Sequence, residues 1–296
     1  MKRINIDVQI PILALPTMVL SLMSFSVWIY MFYLRFVCGY SWYVTIIPST
    51  LSTYLSFTPL HDAIHGSVSR YKRINNIPAH LTSIQYFYSP YSVFRIVHLL
   101  HHRYTNDPER DPDYFSTSRY TILLPIKWII HMYHYFIHFF TIRKKYPEEW
   151  RNLILWNIFF VGPIITIMPF IDFVVLWLLP AHIAITFMVC MFDYIPHKPH
   201  KITRSEDIYK CTNVVDSVFS DEISTSEIPH ESGLISLLTL NQSYHSIHHL
   251  YPRVPFYKYH GIWKKYGEEF RKRGVESVSI VEKPNIEIPC INPLKD

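Results

Sequence analysis

The chain has 296 residues, of which 49% are hydrophobic, 16% aromatic and 17% charged, and its formal net charge is +5. A soluble domain carries about 25% charge, and a disordered tail does not carry 22 Tyr, 19 Phe and 7 Trp. An ordinary soluble globule and a disordered segment are therefore excluded, and 17 histidines need an account.

The N-terminus reads MKRINIDVQI and turns apolar, with an uncharged run from Val8 to Leu34. That run is longer than a signal-peptide core and lacks a clear small-residue cleavage site, so it reads as a retained span. Four stretches approach the ~20 residues that a hydrocarbon core requires. They are roughly 10–33, 38–59, 153–170 and 173–192. The last two are separated by little more than Pro169 and Asp172, which reads as a tight hairpin in the far interface. Basic residues flank the other side: Lys2 and Arg3, then Lys72, Arg73, Arg95, Arg103, Lys144 and Lys145, then Lys198, Lys201, Arg204 and Lys264 to Arg273. The positive-inside rule puts both termini and the polar segments 60–151 and 193–296 in the cytosol. The expected fold is an all-α integral membrane protein, a single domain of four transmembrane helices under a cytosolic helical cap.

Within the cap, Tyr120–Phe140 is a weaker apolar run containing Lys127, His131, His134 and His138. It reads as an interfacial amphipathic helix with those histidines at its wet edge. Residues 141–151, TIRKKYPEEWR, read as a solvated charge run. Residues 200–230 read as loop with short helices, and the last 30 residues carry no strong fold signal. The four cysteines are widely spaced and form no Cys-x-x-Cys pair, so neither a zinc ribbon nor an iron–sulfur cluster is indicated.

The chemistry lies in three histidine clusters. HDAIH places His61 and His65 four apart, on one helical face. HLLHH supplies His98, His101 and His102, and the same spacing recurs in HSIHH as His245, His248 and His249. Three imidazoles on one turn repel one another when protonated and make better sense as neutral ligands to a cation. Eight nitrogens exceed the coordination of one centre, so two metals share them. Imidazole suits iron and copper as well as zinc, and the spacing does not choose between them. His197, the first histidine after the fourth apolar run, is a candidate ninth ligand, with Asp193 four residues before it. Asn241, four residues before His245, is a further candidate, directly or through water. A ligating imidazole usually passes its other N–H to a carboxylate or carbonyl, and Asp62, Asp107, Asp111, Asp113 and Asp193 are available for this.

HDAIH, HLLHH and HSIHH together resemble the histidine boxes of the membrane fatty acid desaturase and hydroxylase superfamily. HLLHHRYTNDPERDPDYF, WLLPAHIAITFMVCMFDYIPHKPH and NQSYHSIHHLYPRVPFYKY are most similar to the beta-carotene hydroxylases of the cyanobacterial type, and these landmarks lie within residues 55–262. The resemblance implies four membrane helices and a cytosolic di-iron site. Its ligands would be His61, His65, His98, His101, His102, His245, His248 and His249, with His197 matching the additional ligand after the fourth helix. It implies two iron ions, O2 as cosubstrate and a lipid substrate. Ring hydroxylation of beta-carotene is the expected reaction, and fatty-acyl desaturation or hydroxylation is the alternative, because the same ligands serve both outcomes. No haem motif and no glycine-rich flavin or nicotinamide fingerprint is visible, so electrons are expected from a separate ferredoxin or cytochrome b5 type donor. Tyr86, Phe87 and Tyr88 either line the lipid access or belong to an interfacial belt. A metal transporter would carry ionisable ligands deep within its spans, and a nucleic-acid binder would carry a basic stripe. Neither pattern is present.

Overall fold

The computed structural model describes residues 2–86, 90–219 and 233–281. Helix α1 spans Leu15–Phe36, and Pro16 sits in its first turn, where a missing N–H costs nothing. Helix α2, Trp42–His65, begins at Ser41, whose hydroxyl accepts from Tyr43 N, and stops at Gly66 in the left-handed conformation, φ 68°. Small polar side chains line the seam between the two. The single O–H of Ser52 has two acceptors within reach, the Ser24 carbonyl of α1 and, at 2.9 Å, Gln85 Oε1, so the buried hydroxyl is satisfied within the bundle.

The third and fourth long helices run as composites. Helix α6, Pro147–Ile167, and helix α7, Phe170–His197, join α1 as the three described helices long and apolar enough to cross a membrane. The expected second span falls on α2. At 24 residues it is ~36 Å long, but buried Thr45, Ser49, Ser52, Thr53, Ser56 and Thr58 make it less apolar than the other three. The break between α6 and α7 falls at Met168 and Pro169, both extended. Asp172 is already inside the first turn of α7, where its carboxylate accepts from Arg35 Nε at 2.5 Å and fastens the hairpin to the end of α1. Trp28 of α1 meets Trp177 of α7 edge-on at 5.3 Å, and the Trp177 indole N–H donates to the Ile84 carbonyl at 2.9 Å.

The segments expected as the cap carry helices α3 (Lys72–Ser83), α4 (Tyr91–Tyr104), α5 (Leu124–Ile142), α8 (Gly233–Leu238), α9 (His245–Leu250) and α10 (Tyr259–Lys272). Strands β1 (Val214–Phe219) and β2 (Ser277–Val281) pair in parallel, Val214 opposite Ser277 and Val215 opposite Val278. The fold is therefore not all-α. β1 is drawn into the cap by the bond from Val215 N to the Ser243 carbonyl, beside α9, and residues near the C-terminus return to cover it.

The first span also starts later than position 10. Pro11 and Pro16 lack donors, and the chain before α1 is an extended arm. Arg70 N donates to the Pro11 carbonyl at 3.0 Å, and Ala14 N donates to that of Val68 at 2.7 Å. Ile4 N donates to Tyr209 Oη at 2.9 Å, and Tyr251 Oη donates to the Ile4 carbonyl at 2.6 Å. Ile4, Ile6 and Val8 of the arm pack on the cap, with Ile4 buried beside Tyr209, Leu250 and Tyr259, whereas Ile12 and Leu13 are exposed.

α5 is amphipathic in an unexpected sense. Ile126, Ile129, Ile130, Tyr133 and Ile137 are exposed, while His131, expected at a wet edge, is buried at 1% exposure. Apolar side chains turned outward and a histidine turned inward invert the pattern of a soluble helix.

Candidate metal centre

Four helix segments deliver the nine histidines. The last turn of α2 carries His61 and His65, α4 carries His98, His101 and His102, and α9 carries His245, His248 and His249. His197 stands at the end of α7, after a π-helical stretch, Val189–Tyr194, and a short 3-10 turn. Such local rewinding re-aims side chains and is frequent at functional sites.

The side chains divide into two groups, each with its ligand atoms within 4.8 Å of one another: His61, His65, His98, His102 and His248, and separately His101, His197, His245 and His249. The two H-x-x-H-H boxes divide in opposite senses. α4 gives its i, i+4 pair, His98 and His102, to the first group and His101 to the second. α9 gives its i, i+4 pair, His245 and His249, to the second group and His248 to the first. Neighbouring helical residues are about 100° apart, so each box addresses two centres from one side of its helix. The first group is completed by the pair on α2, the second by His197 alone.

Within each group the Nε2 atoms meet. His98 lies 2.9 Å from His65 and 3.0 Å from His102, and His102 lies 2.8 Å from His248. In the second group His245 lies 2.9 Å from both His197 and His249, and His101 lies 3.2 Å from His249. Burial, reinforced by neighbouring imidazoles, holds His98, His102, His248 and His249 far below the ordinary histidine pKa, so these rings are neutral. A neutral ring whose Nδ1 keeps the proton turns a lone pair inward at Nε2. Several lone pairs converging without a proton between them repel, and a cation among them removes that conflict. The donor sets thus fit two metal ions, with five and four imidazoles respectively.

The outer partners fix these tautomers. His101 Nδ1 donates to Asp111 Oδ1 at 2.9 Å. Burial presses on His101 as on the others, but the charges of Asp111 and Asp113 outweigh it and raise the pKa of the ring. Asp111 is itself held by the N–H groups of Asn106, at 2.7 Å, and Asp113, at 2.9 Å. His248 Nδ1 lies 3.0 Å from Tyr259 Oη, and His249 Nδ1 lies 3.4 Å from Thr105 Oγ1. Tyr259 carries no spacing signal in the sequence, since only the fold brings it to His248, whereas Thr105 and Asn106 follow the second box directly in HLLHHRYTND.

Other candidates lie elsewhere. Asp62, one residue from His61, turns away from the boxes and accepts from Thr17 Oγ1 at 2.7 Å and from Phe256 N. Asp107 caps its own turn and pairs with Arg110 at the surface. Asn241 has φ 61° and shapes the turn before α9, taking Tyr244 N on its carbonyl; among the described residues its side chain bonds to no box histidine. Asp193 groups with Asp113 and His131 and not with His197.

Beside the first group lies a partly open cavity walled by Phe57, Leu60, Tyr86, Phe94, Tyr135, Ile185 and Met188, with His98, His131 and Asp193 also in its lining. A ligand of the first metal group is therefore part of an apolar wall. Tyr86 is held by its hydroxyl on the Thr53 carbonyl at 2.7 Å; Phe87 and Tyr88 lie outside the described residues.

Residues 40–280, which contain all nine histidines, match the family profile described as fatty acid desaturase. Over 51 residues the chain is 43% identical to the sn-1 oleoyl-lipid 12-desaturase of a Picosynechococcus species, a stretch covering 17% of this chain and 14% of that relative.

Proposed function

The chain belongs to the fatty acid desaturase family, and on that premise we propose that it is a membrane di-iron oxygenase, using O2 and two electrons to oxidise an unactivated C–H bond of a lipid. The observation that carries this reading is the division of nine histidines into two groups beside an apolar cavity lined by His98. No side chain is basic enough to take such a hydrogen as a proton. Two irons bound by these imidazoles supply, with O2 and external electrons, the oxidising power to take it as an atom. The chain's own residues do the rest. Asp111 orients His101, Tyr259 orients His248, and the aromatic wall holds the substrate dry against His98.

The favoured substrate is a fatty-acyl chain. The family and the stretch shared with an acyl-lipid desaturase support it, as does an apolar cavity that accepts methylenes. Desaturation balances when two hydrogens from neighbouring carbons, two electrons and two protons reduce O2 to two waters. Ring hydroxylation of beta-carotene is the second reading, favoured by the segment HLLHHRYTNDPERDPDYF. Positioning decides between them: one exposed C–H gives an alcohol, two adjacent ones an alkene. α2 serves as the fourth span, the basic flanks face the cytosol with the cap, and a ferredoxin or cytochrome b5 type protein brings the electrons.

The test is mass analysis of lipids from membranes containing the chain, O2 and a reduced donor, with beta-carotene supplied in one arm. Acyl chains lighter by two hydrogens support the first reading, and carotenoid heavier by one oxygen the second. Unchanged lipids with a His248→Ala control equally inert would reject both.

A further inference from the structure

We propose that Asp113, His131 and Asp193 form a third cation site, built for a divalent transition metal, in the cavity wall beside the nine-histidine centre. Their ligand atoms lie within 4.8 Å of one another. They come from three separate elements: the turn Pro112–Ser116, α5, and the π-helical end of α7. His131 is 1% exposed and its Nε2 is buried with no hydrogen-bond partner. A surface histidine on an amphipathic helix would have water there; this one is aimed inward, against the pattern of its own helix.

One neighbouring cation reaches the cluster, His101, but it is shared with Asp111 and does not neutralise both other carboxylates. Asp113 Oδ2 lies 3.2 Å from His101 Nδ1 but makes no hydrogen bond with it, since that proton is directed to Asp111. Tyr135 donates its hydroxyl to Asp113 Oδ1, which satisfies an oxygen without supplying a charge. Lys127 is turned to the Thr117 carbonyl and over the Phe115 ring. Among the described residues no lysine or arginine forms an ion pair with Asp113 or Asp193. Asp113 is buried and Asp193 half-buried in an apolar wall, where ionised carboxylates call for a countercharge, because burying an unpaired charge is far costlier than burying a paired one. One divalent cation supplies it and also occupies the free nitrogen. One imidazole and two carboxylates suit Fe2+, Mn2+ or Zn2+; Ca2+ takes six to eight oxygens. The ion would pin α5 to α7 and to the turn that orients His101, fixing one wall of the cavity. This inference goes beyond the lipid chemistry and does not depend on which metals the histidine groups hold.

Metal analysis of the purified full-length chain tests it, with Mn2+ as the probe added after purification and unbound ion removed. The wild-type chain should hold one metal more than His131→Ala or Asp193→Asn, while Asp193→Glu keeps the wild-type count. A His245→Ala, His131→Ala double variant should lose the sum of the single losses, which separates this site from the histidine groups. Equal metal in wild type and both single variants would overturn the site and leave the carboxylates neutralised by protons. Where a variant does not fold, anomalous scattering from the wild-type protein decides: a peak between Asp113, His131 and Asp193 supports the site, and its absence removes it.

Discussion

His101 and His102 are neighbours in the chain and belong to different metal groups. The sequence made all three histidines of each box legible, because H-x-x-H-H has few uses at a membrane surface. It did not make their allocation legible, because a helical face wide enough for i, i+3 and i+4 is also wide enough for two centres. The acidic residues were harder still. Asp62 lies inside a box and Asp111 nine residues beyond one, yet Asp62 is claimed by Thr17 and Phe256 N and Asp111 by His101. Which partner wins depends on chain segments far away. Asp111→Asn would keep the shape but replace one accepting oxygen by an NH2 group and remove the negative charge that faces His101 Nδ1. Loss of such an outer partner weakens metal binding or activity by about 10- to 100-fold. A metal titration monitored for the second group should show that loss, with the fold intact; unchanged affinity would mean that Asp111 only shapes its turn.

At the scale of elements, uncharged runs located α1, α6 and α7, and the hairpin near Pro169 lay where composition placed it. The arm before α1 was not legible, since Ile4, Ile6 and Val8 read equally well as membrane residues or as a strap on the cap. The same ambiguity hid His131, because the run Tyr120–Phe140 does not reveal which of its apolar faces meets the protein. β1 and β2 are short and far apart in sequence, so no local turn signal joined them. Asp62 links these elements, holding α1 through Thr17 and the segment after α9 through Phe256 N. Asp62→Ala leaves a buried hydroxyl and a buried N–H without their acceptor, a loss of about 1–3 kcal/mol for each unsatisfied group. Thermal unfolding should show the drop while the purified protein keeps its metals. Metal loss without lower stability would instead place Asp62 with the ligands.

Over the whole molecule, the nine-histidine centre couples stability to pH. Burial, then the charges of His101 and His65, pushes His245 of that centre down to about 3, and outside it burial followed by His134 pushes His131 to about 3. Their unfolded counterparts titrate near ~6.5. Between those values the unfolded chain takes protons that these two rings refuse in the metal-free native chain, so their contribution to stability is full above ~6.5 and falls as pH drops, whereas His101, raised by Asp111 and Asp113, contributes in the opposite sense. The metal-free protein should therefore unfold at a lower temperature at pH 5 than at pH 8, and bound metal should oppose this trend until protons displace it. A midpoint independent of pH would show that these rings are not held neutral. The central claim is that two metal ions divide the nine histidines five to four, and anomalous difference density at the iron edge, from active protein, tests it most directly. The account predicts one peak among His61, His65, His98, His102 and His248 and another among His101, His197, His245 and His249. A single peak shared by His101 and His248, or an active protein with no iron peak in either group, would contradict it.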